Sequence, residues 1–110
     1  MSTDCIFCKI IADDIPAKKI YEDNDFIAFH DIRPIAKVLF LIVPKLHIET
    51  LKDCTEAQQP LLGKALLLAP KLAENEGLIG FKTLINTGRE GGQEVFHIHV
   101  HVFGGGKMDA

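Results

Sequence analysis

One stretch of the chain alternates histidine with apolar side chains: His97-Ile98-His99-Val100-His101-Val102-Phe103. A period of two is typical of a β-strand, in which successive side chains point to opposite faces of the sheet. We therefore predict that the three histidines share one face and that the apolar residues enter the core. Neighbouring histidines on such a strand lie roughly 6.6–7 Å apart, so they can act on one small ligand. The alternative is a solvated face of an edge strand, but three histidines in strict alternation favour a site.

The segments around this stretch predict an α+β domain. Working outward, we predict strands over residues 95–103 and 81–86, and before them a main helix that begins at a capping box formed by Thr55 and Gln58. Three further strands are predicted over residues 38–43, 26–31 and 19–22, and a short N-terminal helix over residues 6–12. Gly77 is predicted to follow the end of the main helix. Short turns between the strands favour an antiparallel five-stranded sheet with the helices packed on it.

The composition fits a single domain over residues 1–110. The chain is 47% hydrophobic and 25% charged, as is typical of globular proteins. Its formal net charge of -3 lacks the clustered positive charge that binds a nucleic acid polymer. Residues 1–4 lack the features of a signal peptide, and the longest apolar runs are too short to span a bilayer. We therefore expect a cytoplasmic protein with neither a nucleic acid polymer nor a membrane as partner.

Two kinds of chemistry suit a row of histidines on a strand. Histidines at alternate positions can bind a metal directly, as in zinc sites with three histidine ligands and an open water position. Alternatively, one imidazole attacks phosphorus and forms a phosphohistidine that water later hydrolyses. The preceding loop favours the second chemistry, because its glycines allow close backbone approach to a phosphoryl group. The loop residues suited to this contact are Gly88, Gly91, Gly92, Asn86 and Gln93.

Residues 86–105, and the histidine row above all, resemble the signature of the histidine triad family. The resemblance to its nucleotide-binding branch extends over nearly the whole chain, with similar segments at Ile6-Phe7, Ile15-Pro16, Tyr21-Glu22-Asp23, Ala28-Phe29-His30-Asp31-Ile32, Val43-Pro44 and Gly91-Gly92-Gln93. It implies a homodimer whose two sheets join into one. It also implies hydrolysis of purine nucleoside phosphoramidates and related adenylates at the α-phosphorus, with release of a nucleoside monophosphate.

The resemblance further implies a role for each matching residue. His99 is expected to be the nucleophile, and His101 to contact the phosphate and assist proton transfer; His97 completes the catalytic row. Asp31 is expected to bind the ribose hydroxyls, since a carboxylate accepts two hydrogen bonds. The phosphoryl oxygens are assigned to Asn86, Gly92 and Gln93, and an apolar slot for the base to Ile6, Phe7, Ile10, Phe29, His30 and Ile32. The alternative for the apolar residues is ordinary core packing.

The sequence departs from the family pattern at two positions near the expected site. Leu39 stands where the family commonly has a further histidine, which predicts a drier leaving-group side and slower turnover. Glu94 stands where many relatives have serine. A carboxylate there disfavours an anionic leaving group by like-charge repulsion and favours an amine.

A zinc site is also implied by the resemblance. Some bacterial histidine triad proteins, and the related galactose-phosphate uridylyltransferases, hold zinc with a Cys-x-x-Cys pair and two histidines. The matching residues here are Cys5, Cys8, His47 and His97. Two cysteines and two histidines suit tetrahedral zinc in a closed, structural site, and no organic cofactor is expected. The alternative is a pair of plain thiols beside a solvated His47.

Three functions remain open from the sequence. The leading one is a hydrolase or nucleotidyl transferase that works through a nucleotidyl-histidine. The second is a nucleotide-binding regulator or scaffold with little turnover, which Leu39 supports. The third is a metallohydrolase with zinc on all three histidines of the row. Only the first explains why glycines suited to a phosphate accompany the histidines.

Overall fold

The computed structural model describes residues 5–31 and 38–104. In chain order its main elements are α1 (Ile6–Ile11), β1 (Lys19–Glu22), β2 (Phe26–His30), β3 (Val38–Pro44), α2 (Gln59–Asn75), β4 (Phe81–Leu84) and β5 (Val100–Gly104). Short 3-10 helices lie at Leu51–Asp53, Glu56–Gln58 and Arg89–Gly91. This order confirms the predicted succession of elements, and no helix among the described residues is long and apolar enough to cross a membrane.

The five strands form one antiparallel sheet in the order β1-β2-β3-β5-β4. Strand β3 lies at the centre, and its residues from Leu39 to Pro44 are buried. Leu41 of β3 pairs with His101 of β5, which brings the end of the histidine row to the middle of the sheet. The α+β class and the antiparallel five-stranded sheet are therefore as predicted.

Side chains at alternate positions along each strand point to opposite faces of the sheet, as strand geometry requires. One face packs against α2 and includes Phe26, Phe40 and Val102. The other face packs against α1, and there Phe29 and Leu41 meet residues of the short helix. The long helix therefore completes the main core, whereas the face under α1 is only partly covered.

The main helix is bounded by the signals that the sequence contains. Thr55 and Gln58 form the predicted capping box, with the Thr55 N–H donating to Gln58 Oε1 at 2.7 Å, but this box opens a 3-10 turn and α2 begins at Gln59. At the other end, Gly77 adopts a φ of 82°. Its N–H donates to Glu74 O, and the Leu78 N–H donates to Ala73 O, which is the Schellman pattern.

The prediction of one strand over residues 95–103 is wrong in its first half. Strand β5 begins only at Val100, so His97 and His99 precede it. The physical reason is a change of partner: the Ile98 N–H donates to Ile48 O at 2.7 Å, in the segment after β3 rather than in β3 itself. The histidine rings still share the face of α1, because Phe7 lies edge-on to both His97 and His99.

Candidate active site and metal centre

A cavity of about 430 Å³ opens on the face of the sheet that carries α1. The residues predicted for the nucleotide site that line it are Ile6, Phe7, Ile10, Phe29, His30, Asp31, Asn86, Gly92, Glu94, His99 and His101. Five further residues that were not predicted for the site complete the wall: Ile15, Pro16, Ala17, Leu41 and Val95. Ile15 and Pro16 have a signal in the sequence, since they form a segment similar to the family, whereas Leu41 lies beside His101 through the register of β3 against β5. Ile32 lies outside the described residues.

His99 has one ring nitrogen tied to the backbone. Its Nδ1–H donates to the carbonyl oxygen of His97 at 2.7 Å, which leaves Nε2 with the lone pair. The side chain is 7% exposed, and the edge of Phe7 lies against it with ring centroids 5.0 Å apart. Burial lowers the pKa of His99, while the bond to His97 O and the charge of Asp31 oppose this shift. The ring is thus held neutral, with a nucleophilic nitrogen available.

His101 stands next to His99 and has an unsatisfied nitrogen. The two ring centroids are 4.8 Å apart. Nε2 of His101 is buried and has no hydrogen-bond partner among the described residues. Burial lowers the pKa of His101, the neighbouring His99 lowers it further, and Asp31 raises it. Leaving a buried polar group unpaired costs about 1–3 kcal/mol, so this atom marks a place where a bound ligand completes the site.

The glycine loop forms the wall beside these rings. Gly88 and Gly92 have φ angles of 78° and 88°, a region that favours glycine because it lacks a Cβ. A Cβ at Gly92 would lie 3.8 Å from the side chain of Asn86, so the glycine leaves space beside that amide in the cavity wall. The N–H groups of Gly91 and Gly92 donate within the loop, to Gly88 O at 3.1 Å and to Arg89 O at 3.0 Å, so the expectation that they surround a phosphoryl group is corrected and Asn86 supplies the amide of this wall.

Gln93 does not line this cavity. It is 4% exposed, and its Nε2 donates to Glu49 O at 2.7 Å and to Val95 O at 3.0 Å. Its Oε1 accepts from the Gly88 N–H at 2.9 Å. The expectation that Gln93 holds phosphoryl oxygens is therefore corrected, because both donors of the amide are already engaged with the backbone.

His30 belongs to the cavity wall, but its ring has another partner. Nε2 of His30 lies 2.9 Å from Oε1 of Glu76, the residue that ends α2. In β2, His30 lies on the same face of the sheet as Phe26 and Ala28, which face α2, whereas Phe29 faces the cavity. His30 therefore lines the cavity as expected, while its ring nitrogen is paired with Glu76.

A second group of side chains lies at the other end of the histidine row. One ligand atom from each of Cys5, Cys8, His47 and His97 lies within 4.8 Å of all the others. Nδ1 of His97 lies 3.3 Å from Cys5 Sγ, 3.6 Å from Cys8 Sγ and 3.1 Å from His47 Nδ1. Burial, followed by the hydrogen bond and charge of Cys5, raises the pKa of Cys8 to about 11.

The cluster fits a zinc ion. Two sulfur and two imidazole ligands suit tetrahedral zinc, whose bonds of about 2.0–2.3 Å match ligand atoms this close together. Nε2–H of His97 donates to Pro44 O at 2.7 Å, and this bond fixes the tautomer so that Nδ1 presents its lone pair to the cluster. Both nitrogens of the fully buried His97 are therefore engaged away from the cavity.

This arrangement changes two expectations from the sequence. His97 does not line the cavity with His99 and His101, so its place in a catalytic row is corrected to a place in the cluster. Zinc on all three histidines is also wrong for this geometry, because Nδ1 of His97 faces the cysteines and Nε2 bonds Pro44. The predicted set of four candidate ligands is brought together as the sequence indicated.

Comparisons with known proteins identify the family of the chain. The family model described as the HIT domain matches residues 12–108. Protein HitA from Neisseria gonorrhoeae is 52% identical over 101 residues, covering 91% of this chain and 94% of HitA. Purine nucleoside phosphoramidase from Escherichia coli (strain K12) is 42% identical over 107 residues, covering 96% of this chain and 90% of that enzyme.

A solved structure is similar over the same length. The HIT family hydrolase from Legionella pneumophila Philadelphia 1 matches with a TM-score of 0.93 and 45% sequence identity, covering 96% of this chain and 96% of that one. The structural similarity therefore extends over nearly the whole chain.

Proposed function

The chain belongs to the HIT domain family, and on that premise we propose that it is a hydrolase of purine nucleoside phosphoramidates and related adenylates. The similar protein from Escherichia coli is named a purine nucleoside phosphoramidase, and the similar Legionella protein is a HIT family hydrolase. The observation that carries the proposal is the contrast between two neighbouring rings. His99 has its Nδ1–H bound and its Nε2 available, and the buried Nε2 of His101 lacks a partner among the described residues.

The reaction proceeds in two displacements. Nε2 of His99 attacks the α-phosphorus, a P–N bond to the ring forms, and the bond to the leaving amine breaks. Water then attacks phosphorus, the P–Nε2 bond breaks, and the nucleoside monophosphate leaves. Over both steps the amine takes up one proton and water gives one up. The bond from Nδ1–H to His97 O steadies the positive charge that develops on the ring.

The other walls of the cavity suit the rest of a nucleotide. We assign to His101 a contact with a phosphoryl oxygen, together with Asn86 of the loop wall, beside which Gly92 leaves space. Asp31 is assigned to the ribose hydroxyls, since this residue lines the cavity and a carboxylate accepts two hydrogen bonds. The purine base is assigned to the apolar part, which includes Ile6, Phe7, Ile10 and Phe29.

The leaving group is proposed to be an amine. Glu94 lines both the main cavity and a neighbouring cleft of about 330 Å³ that also contains Glu49. Carboxylates on this side repel a phosphate or polyphosphate leaving group and tolerate a neutral or cationic amine. A higher turnover of a dinucleoside polyphosphate than of an adenosine phosphoramidate contradicts this assignment.

The Cys/His cluster is proposed to hold a structural zinc ion. When bound, zinc supplies a cross-link between α1 and the segment before β5, and we route no chemical step through it. The three free cysteines also fit the reducing conditions of the cytoplasm, where we propose that the protein works. Elemental analysis that finds far less than one equivalent of metal per chain contradicts the zinc assignment.

A homodimer is proposed from the free edge of the sheet. Strand β4 is an edge strand, and Leu84 at its end is 42% exposed. On α2, Leu66 and Leu67 are 48% and 71% exposed. An edge strand invites pairing with a second copy, which would join the two sheets, and exposed leucines supply apolar area for such an interface. Sedimentation that shows only monomers at micromolar concentration contradicts this proposal.

Leu39 favours a second candidate, a nucleotide-binding regulator with little turnover. It is 4% exposed in β3 and offers no hydrogen bond at a position where relatives commonly have histidine. Rapid quenching with an adenylated amine separates the two functions. The hydrolase gives a burst of free amine and a nucleotide bound covalently to the protein, whereas the regulator binds the nucleotide and gives neither.

A further inference from the structure

The side chain of Gln93 is buried between two exposed residues of the site, Gly92 and Glu94. It makes three hydrogen bonds, all to backbone groups, between 2.7 and 3.0 Å long. Two of these groups, on Gly88 and Val95, belong to the same stretch of chain as Gln93, and the third, Glu49 O, belongs to the segment after β3. A buried amide with both donors and an acceptor satisfied has one stable orientation, so Gln93 holds its loop rigidly to that segment.

The first contact closes the glycine loop on itself. Oε1 of Gln93 accepts from the Gly88 N–H, and the Gln93 backbone N–H donates to Gly88 O at 3.0 Å. Both backbone groups of Gly88 are thus bound to the same residue. The loop between these two residues contains Gly92, which lines the cavity, as Asn86 does. This two-point closure gives the phosphate-facing wall one shape.

The second contact places that loop relative to the candidate nucleophile. Nε2 of Gln93 donates to Glu49 O, and in the same short segment Ile48 O accepts from the Ile98 N–H at 2.7 Å. Ile98 directly precedes His99 in the chain. The loop and His99 are therefore both attached to residues 48–49, which set the separation between them.

We propose that Gln93 is a positioning residue that holds the glycine loop at the correct distance from His99 without touching the substrate. This inference rests on the proposed function and adds to it the residue that aligns the two halves of the site. Reacting atoms must lie about 3–3.5 Å apart and in line, and a displacement of about 1 Å can lower the rate roughly 100-fold. Loss of the Gln93 contacts is therefore expected to affect the chemical step more than substrate capture.

The test compares two glutamine-to-methionine variants. Gln93→Met keeps the length of the side chain and removes its three hydrogen bonds. Gln58→Met removes a bond of the same kind, from the Thr55 N–H to an amide oxygen, at the start of α2 and away from the cavity. At a temperature where circular dichroism shows both variants folded, we expect kcat on an adenosine phosphoramidate to fall roughly 10- to 100-fold in Gln93→Met, with a smaller change in KM. The Gln58→Met variant should keep the wild-type kcat.

Amide hydrogen exchange supplies a readout that needs no turnover. The Gly88 amide should exchange faster in Gln93→Met than in wild type, because it loses its acceptor. A wild-type kcat in folded Gln93→Met, with only a lower melting temperature, overturns the inference. If that variant does not fold, Gln93→Asn keeps the amide but shortens its reach by one methylene, and a wild-type kcat there overturns the inference equally.

Wild type and His99→Ala are assayed in parallel, so that a failure of the positioning role can be distinguished from a failure of the proposed function. A wild-type protein without turnover contradicts the proposed function, and the hold of Gln93 on the loop is then judged by amide exchange. Faster exchange of the Gly88 amide in Gln93→Met than in Gln58→Met supports that hold, and equal exchange overturns it.

Discussion

The two ends of the histidine row use the same side chain in opposite ways. At one end, both ring nitrogens of His97 are engaged, one with Pro44 O and the other facing Cys5 and Cys8. At the other end, His101 keeps a buried nitrogen without a partner among the described residues, beside the available Nε2 of His99. The ring is fully buried in the first case and lines an open cavity in the second.

This contrast shows that the second nitrogen of an imidazole decides what the first can do. A carbonyl that accepts from one nitrogen directs the lone pair of the other, toward the cysteines for His97 and toward the cavity for His99. Alternation along the chain gives the rings a common face but does not give them a common role. Substitutions at His99 and His101 should therefore lower turnover, whereas substitutions in the Cys/His cluster should lower stability.

The largest expected effect is at His99. His99→Ala removes the nucleophile, and we expect kcat on an adenosine phosphoramidate to fall by roughly 10⁴-fold or more, in line with the loss of a nucleophile in other covalent mechanisms. Binding of AMP, measured by calorimetry, should change much less, because the remaining cavity walls stay in place. A variant that retains a tenth of wild-type turnover removes His99 from the role of nucleophile.

The next effect is at the Cys/His cluster, and it should appear in stability. Cys8→Ala removes one of the four candidate ligands, and we expect bound metal to be lost and the free energy of unfolding to fall by about 4 kcal/mol. Urea unfolding, with and without a chelator, measures this change. Cys54→Ala is the matched control, since Cys54 is not among the four clustered residues and its substitution should change the free energy little. Equal losses in the two variants contradict a metal site.

A smaller loss of activity is expected at His101. His101→Asn removes the ring that we assign to a phosphoryl oxygen, and kcat should fall roughly 10²- to 10³-fold, as after loss of a single charge-stabilising donor. The nucleotidyl-protein should still form, only more slowly, which rapid quenching followed by mass spectrometry detects. Complete absence of the covalent species in this variant would indicate that His101, and not His99, is the nucleophile.

The smallest effect is the dependence of stability on pH. Burial lowers the pKa of His101 in the folded chain below the usual value near 6.5. As pH falls below 6.5, the unfolded chain binds a proton that the folded chain does not, so the free energy of unfolding decreases. His101→Gln removes this contribution, and its unfolding free energy should fall less steeply between pH 6.5 and 5 than that of wild type. If the unfolding free energies of wild type and His101→Gln depend on pH in the same way, the pKa of His101 is not lowered.

Much of this architecture is readable from local patterns. The period of two located a face for the histidines, the capping box of Thr55 and Gln58 marked the start of the main helix, and Gly77 marked its end. These signals depend on neighbours within a few residues. They are therefore available in a single sequence, and the structure confirms the fold class that they predict.

The errors concern partners that are distant in the chain. The carbonyl that orients His97 belongs to Pro44, 53 residues earlier, and the carboxylate beside His30 belongs to Glu76, which directly follows α2. Gln93 was assigned to phosphate because its amide is chemically suitable, yet the amide donates to Glu49 O in the segment after β3, and its remaining bonds are to Gly88 and Val95 nearby. Tertiary packing decides which polar atoms are already hydrogen-bonded, and the local spacing of residues in the sequence does not encode that packing.

The separation of the clustered ligands along the chain has a consequence for biosynthesis. Cys5 and His97 are 92 residues apart, so a ribosome releases the first ligand long before the last. A polypeptide that stops before His97 has only three of the four candidate ligands, Cys5, Cys8 and His47. All four ligand positions can therefore come together only after most of the domain has been synthesised.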